Sequence, residues 1–205
     1  MRAPVKLFLA SSNPGKLKEY RLLAEGNAPA RVRVDLDPVP EFASLPAFEE
    51  SAPTFAENAT GKALYYSRMH EGFIFADDSG LVVPALGGSP GVLSARYAGV
   101  DATNSQLIAK LLQEMRDISG ENRAAHFVCA IALARQGRAL AVVTDRVDGE
   151  ILPETRGTAG FGYDPVFYFH PLKKTFAELS APEKNRHSHR GKAFRKLSAA
   201  LSSML

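Results

Sequence analysis

The sequence holds a single cysteine in 205 residues, so no internal disulfide can form. Cys129 lies in the apolar run FVCAIALA, where a small core residue is expected, and a lone thiol makes the cytoplasm the default setting. There is no CxxC pair and no cluster of cysteine with histidine, which argues against a zinc site. No apolar stretch approaches the roughly 20 residues that a membrane helix needs, so no membrane partner is expected. The opening MRAPVKLFLASSNPGK has too short an apolar run to read as a signal peptide and leads into charged, helix-like sequence. Repeats, low-complexity tracts and a separating linker are missing too, so a single domain over 1–205 is expected. The chain is 45% apolar and 23% charged, the make-up of a soluble globular protein rather than a disordered one. Its length is ample for a core.

Net charge is small, +3 from 25 Lys plus Arg against 22 Asp plus Glu, but it is unevenly placed. Residues 171–205 carry eight basic residues against Glu178 and Glu183, a net of +6. Six acids (Asp35, Asp37, Glu41, Glu49, Glu50, Glu57) fall between Arg33 and Lys62 with no base among them. A basic tail and an acidic loop are either two solvated faces or the two halves of a site for a polyanion and its metal.

Hydrophobic spacing predicts strand 5–11, then a helix capped by Asn13 with Pro14 in its first turn, running to about Glu25. RVRVDL (31–36) alternates as a second strand, and 37–53, with four prolines, reads as a long loop. Thr54 and Glu57 form a capping box for an amphipathic helix. FIFAD (73–77) and LVVPAL (81–86) read as two strands broken at Asp78-Ser79-Gly80, followed by a turn-rich link from Gly87 to Gly91. Thr103 and Gln106 cap a helix to about Arg116. A hairpin is expected from 126–135 and 139–152 about Gln136-Gly137. A Gly-rich loop then enters a short strand near 169, and one basic amphipathic helix is expected from about Pro182 to the end. Early alternation of strands and helices with a late hairpin indicates a mixed-sheet α/β protein.

Five constellations carry potential chemistry. Ser11-Ser12-Asn13-Pro14-Gly15-Lys16 puts small residues and a lysine at a strand–helix junction, which suits a phosphate; by itself an ordinary capped helix start is the plainer reading, and the Walker A spacing is absent. Asp77-Asp78-Ser79-Gly80 ends a strand, where carboxylates commonly hold Mg²⁺; a polar turn is the other reading. Adjacent carboxylates on a strand point to opposite faces, so only one would line a given pocket unless Gly80 breaks the strand. Asn58 and Lys62 share a helix face, read by itself as solvated. Gly160-Phe161-Gly162-Tyr163-Asp164 either exposes an aromatic ring for base stacking or forms a turn around a core Phe. Lys184 to Arg190 is basic and suits phosphate or nucleic acid. Together they converge on a nucleotide polyphosphate.

The blocks SSNPGK, TFAENATGKA, FADDSGLVVPALGGSPGVLSARYAG, GFGYDPVF and TFAELSAPEKNRHSHRGKA resemble the inosine triphosphate pyrophosphatases, also called XTP/dITP diphosphatases, in the same order over residues 11–193. The resemblance implies a Mg²⁺-dependent, homodimeric enzyme that hydrolyses ITP, dITP and XTP to the monophosphate and pyrophosphate. It implies an elongated mixed sheet with flanking helices, in two lobes with an active-site cleft between them. Carried over block by block, Ser11, Ser12, Asn13, Pro14, Gly15 and Lys16 wrap the triphosphate, and Lys62 adds charge. Asp78 is the general base with a metal contact, beside Glu49 or Glu50 as the second metal ligand, and Ser79 touches substrate. Phe161, Gly162, Tyr163 and Asp164 line the base, Lys184 meets phosphate or base, and His189 with Arg190 read the purine edge.

His187 and Pro84 depart from the family pattern, and neither carries an assigned role. Two rivals stand beside this reading. A nucleic-acid-binding module would use the basic C-terminal helix, but no RRM or KH signature occurs and the acidic loop opposes it. A pyrophosphatase for modified pyrimidines is disfavoured by DDSGL and GFGYDP.

Overall fold

Local signals account for most elements of the computed structural model, which describes residues 4–26 and 33–205. Strand β1 (Val5–Leu9) leads into α1 (Pro14–Gly26), whose first turn is closed by Asn13 Oδ1 accepting from Lys16 N at 3.1 Å. β2 (Val34–Pro38) follows; of the expected strand 31–36, Arg31 and Val32 lie outside the described residues. Thr54 Oγ1 accepts from Glu57 N at the start of α2 (Phe55–Ser67). After β3 (Phe73–Val82) comes α3 (Asn104–Glu114), with a full capping box between Thr103 and Gln106. β4 (Ala124–Arg135) and β5 (Arg138–Ile151) form the expected hairpin. Its two-residue turn places Gln136 and Gly137 at φ 50° and 75°, the left-handed conformations that match the twist of the flanking strands. β6 (Phe167–Phe169), β7 (Lys174–Thr175), α4 (Ala181–His187) and α5 (His189–Met204) complete the chain.

The strands form one seven-stranded mixed sheet in the order β2-β1-β3-β4-β5-β6-β7. β1 is parallel to both β2 and β3, while β6 is antiparallel to β5 and β7. The chain divides into two compact units. The first comprises Met1–Asp78, Cys129–Asp145 and Arg190–Leu205; the second comprises Ser79–Val128 and Arg146–His189.

In the first unit, strand alternation sorts the core onto two faces. Leu7, Leu9, Phe75, Cys129 and Ile131 pack with Tyr20 of α1 and Phe194 and Leu197 of α5. Phe8, Ile74, Ala76, Ala130 and Ala132 pack with Ala59, Ala63 and Tyr66 of α2. The second unit has its own core, in which Leu81, Leu111, Phe127, Val147, Phe167 and Phe176 meet.

Three expectations need correction. β3 is one strand that runs unbroken through Asp78, Ser79 and Gly80, and Pro84–Leu86 is a short 3-10 turn rather than strand. Gly80 serves close approach instead of a break. A Cβ there would lie 2.3 Å from Ser94 Oγ and 2.5 Å from Gly91 O, and that serine hydroxyl accepts from Leu81 N at 2.9 Å. Gly80→Ala is therefore expected to destabilise the protein by about 1–3 kcal/mol through overpacking. Urea denaturation checks this, and an unchanged midpoint would show that Ser94 yields.

The expected single C-terminal helix is two helices, α4 and α5, because Ser188 between them is extended at φ −65°, ψ 157°. Serine disfavours helix interiors and suits such flanking positions. The third correction concerns Asn58 and Lys62, whose face of α2 is buried, at 1% and 7% exposure, rather than solvated.

Candidate active site

The adjacent carboxylates Asp77 and Asp78 face opposite sides of β3, as alternation demands, and each gathers its own partners. Asp77 shares the face of Phe75. It is fully buried and takes two cations, Lys16 Nζ at 3.0 Å and Arg190 Nε at 3.4 Å. Arg190 also pairs with Glu19 on α1, and its guanidinium lies 5.9 Å from the centre of the Tyr20 ring. Burial alone would raise the Asp77 carboxyl, but the charges of Lys16, Arg190 and Lys62 overcome this and hold it well below the usual carboxylate range. Tyr20 and Cys129 lie beneath this network, hydroxyl to sulfur at 3.7 Å, and burial with the Asp77 charge pushes the thiol up to about 12. Cys129 is thus an inert core residue, as its apolar surroundings suggest.

Asp78 shares the face of Ala76 and α2. Asn58 Nδ2 donates to its Oδ2 at 3.0 Å. Burial, then the charge of Glu50, push this carboxyl up to about 6, against the opposing effects of Lys16, Asn58 and Lys62. Lys62 Nζ pairs with Glu50 and donates to the Asp77 carbonyl at 2.9 Å. Of the two neighbouring glutamates, Glu50 is therefore drawn in beside Asp78 and Lys62, while Glu49 is exposed.

At the head of α1, Asn13 N donates to Ser11 Oγ at 3.2 Å, and Ser12 and Pro14 are exposed. Gly15 and Lys16 are half-buried in the first turn, where helix N–H groups suit an anion.

In the second unit, Asp164 is buried and accepts from Phe161 N at 2.8 Å and from Lys184 Nζ. Lys184 Nζ lies 5.0 Å from the centre of the half-buried Phe161 ring. Gly160 permits this turn: it sits at φ 78°, and a Cβ there would meet Asp164 Oδ2 at 2.0 Å. Gly162 is half-buried, whereas Tyr163 is buried in the core and donates to the Ser94 carbonyl at 3.0 Å. His189 is buried with its ring stacked on Phe127, centroids 4.7 Å apart. Ser79 is half-buried on β3.

Sequence reasoning gave no role to Asp77, Glu19 or Asn58. Each had a signal: Asp77 from alternation against Asp78, Glu19 from lying three residues after Lys16 on one helix, and Asn58 from lying four before Lys62.

Whether Mg²⁺ fits is decided by the chemistry of the residues present. Among the described residues no three His, Cys, Asp or Glu side chains converge as a metal-holding group. Mg²⁺ does not need such a cage, since it binds through one or two carboxylates and keeps several waters. Glu50 and Asp78, whose like charges disfavour one another, meet that requirement.

A mixed α/β sheet with two carboxylates and a lysine-bearing helix start is compatible with many chemistries, and sequence comparison narrows them. Residues 7–200 match the Ham1 family, and the chain belongs to that family. A dITP/XTP pyrophosphatase of Geobacillus kaustophilus is 47% identical over 192 residues, covering 94% of this chain and 92% of that protein. The structure of a HAM1 protein from Coxiella burnetii superposes with a TM-score of 0.84 at 39% identity, covering 97% of this chain and 99% of its own. The Staphylococcus aureus Ham1 protein gives 0.83 at 35% identity, covering 98% and 100%. No helix among the described residues is long and apolar enough to cross a membrane.

Proposed function

We propose that this chain is a nucleoside triphosphate pyrophosphohydrolase that acts on ITP, dITP and XTP, yielding the monophosphate and pyrophosphate. One observation carries the reading. Asp78, a buried carboxylate, shares its surroundings with Glu50 and with the charges of Lys16 and Lys62, the mixture of signs that a metal and a polyphosphate require together. The relatives' name, dITP/XTP pyrophosphatase, supports two of these substrates.

In this reading Glu50 and Asp78 hold Mg²⁺, which when bound neutralises phosphate charge and eases ionisation of water. Asp78 accepts the proton of the attacking water, since a carboxylate needs only hydrogen-bond reach to act as general base. Lys16 and Lys62, with the backbone N–H groups of Ser11, Ser12, Asn13 and Gly15 around the head of α1, stabilise charge on the leaving pyrophosphate. Lys184 contributes charge beside Phe161, whose ring offers a stacking surface for the base, with Gly162 and Asp164 shaping the turn. Ser79 contacts substrate.

His189 and Arg190 are donors suited to the purine O6 of hypoxanthine and xanthine. Arg190, and His189 when protonated, cannot accept from the adenine amine, a mismatch of about 1–3 kcal/mol per unpaired donor. Arg190 has a second, internal duty toward Asp77 and Glu19. One catalytic domain over 1–205, a cytoplasmic setting and, on the family resemblance alone, a homodimer belong to the same reading, with no nucleic-acid or membrane partner.

The test is pyrophosphate release with Mg²⁺ across ITP, XTP, GTP, ATP and dUTP. ITP and XTP are expected to exceed ATP and dUTP, and His189→Ala should shrink the ITP:ATP ratio of kcat/KM. A preference for dUTP would favour the pyrimidine rival. Salt-dependent DNA binding without hydrolysis would favour the nucleic-acid module.

A further inference from the structure

We infer that Asn58 is a positioning residue that fixes the acidic loop bearing Glu50 against the Asp78 carboxylate. The inference rests on the reading that this pair holds a divalent cation, and it concerns what places the pair.

Glu50 sits in an irregular stretch between Leu45 and Thr54, with no helix or strand to set its position. One stripe of α2 does so instead. Asn58, Lys62 and Tyr66 recur at every fourth position, so they share a face. All three are buried. Tyr66 hydroxyl donates to Pro46 O at 3.2 Å and accepts from Phe48 N at 3.2 Å. Lys62 pairs with Glu50. Asn58 Oδ1 accepts from Ala52 N at 2.9 Å, and its Nδ2 donates to Ala52 O at 3.2 Å. The loop is thus tied to the helix at four points on either side of Glu50.

Asn58 is the member of the stripe that also reaches the Asp78 side chain, its Nδ2 lying 3.0 Å from Oδ2. One amide therefore spends its acceptor on the loop and its two-proton donor on the loop and the carboxylate together. At 1% exposure it has no water to substitute for a lost partner. The consequence is geometric. Asp78 Oδ2 is held as an acceptor, its rotation is fixed, and Ala52, two residues from Glu50, is set in the same frame. Partners that orient a metal-binding carboxylate typically contribute 10–100-fold in metal affinity.

The probe is Mn²⁺ bound to the full chain without substrate, followed by the electron paramagnetic resonance of the free ion. Asn58→Ala is expected to weaken Mn²⁺ binding about 10–100-fold. Ala52→Pro deletes the loop's N–H donor at a half-buried position, leaves Asn58 and Asp78 intact, and is expected to weaken binding in the same direction. It decides the matter should Asn58→Ala fail to fold. Thermal melts run alongside: a merely structural Asn58 would lower the melting temperature and leave the Mn²⁺ dissociation constant of folded protein unchanged. Glu50→Gln and Asp78→Asn separate the two levels of the argument. Should neither weaken Mn²⁺ binding, the cation reading itself is overturned. Should both weaken it while Asn58→Ala and Ala52→Pro stay within twofold of wild type, only the positioning role is lost.

Discussion

Asp78→Asn is expected to lower kcat for ITP by roughly 10² or more while leaving substrate binding within about an order of magnitude, because asparagine keeps the shape of the side chain but cannot take up a proton. The local geometry favours a clean result. The asparagine carbonyl can still accept from Asn58 Nδ2, which now meets Asp78 Oδ2 at 3.0 Å, so the exchange need not disturb α2. The variant is also expected to be no less stable than wild type in metal-free buffer near neutral pH, since burial and the charge of Glu50 both disfavour the ionised carboxylate that it removes. Steady-state kinetics and urea denaturation test the two halves separately. Near-normal kcat would assign the base to another group.

Asp77→Ala is expected to do the reverse and act on folding first. The carboxylate is fully buried between Lys16 and Arg190, and Arg190 is itself 3% exposed and already shared with Glu19. Removing one partner of a buried ion pair strands the other, at about 3–5 kcal/mol. A chain with an ordinary stability of about 5–15 kcal/mol would lose a large part of it. The measurement is the urea midpoint at constant slope. A loss under about 1 kcal/mol would mean that water or Glu19 compensates the stranded cations. Two adjacent aspartates are therefore expected to differ in what each governs first, turnover for Asp78 and folding for Asp77.

The contrast also explains what could be read from the sequence. Caps were legible because they are local. Asn13, Thr54 and Thr103 each close a helix with a residue three positions away, and the Gln136-Gly137 turn carries its own conformational signature. The break at Ser188 was not legible, because a basic helical pattern continues on both sides and one extended residue leaves that composition unchanged. The continuity of β3 through Gly80 was hidden for a related reason. Glycine is the usual punctuation between strands, and only the approach of Ser94 from another part of the chain shows why it is needed within one.

Within the candidate site, residues in short motifs were singled out from the sequence, and those joined to it only through tertiary contact were not. Lys16, Asp78 and Lys184 stand in short motifs that suggest chemistry by themselves, whereas Lys62 took its role only from the family resemblance. Glu19 looks like any helix-surface acid until Arg190, 171 residues later, pairs with it. Asn58 looks solvated until Ala52 and Asp78 close over it. Tyr163 sits in an exposed-looking glycine loop, yet its hydroxyl is spent on Ser94 O in the core.

The opposite orientation of Asp77 and Asp78 makes the length of β3 matter as much as its composition. Deleting or inserting one residue between Ile74 and Asp77 would turn every later side chain to the other face. It would present Asp78, the proposed proton acceptor, to Lys16 and Arg190, and Asp77 to Asn58 and Glu50. All residue types would survive such a change, and the local composition would barely alter. A one-residue gap in this strand is therefore expected to cost more activity than several exchanged side chains.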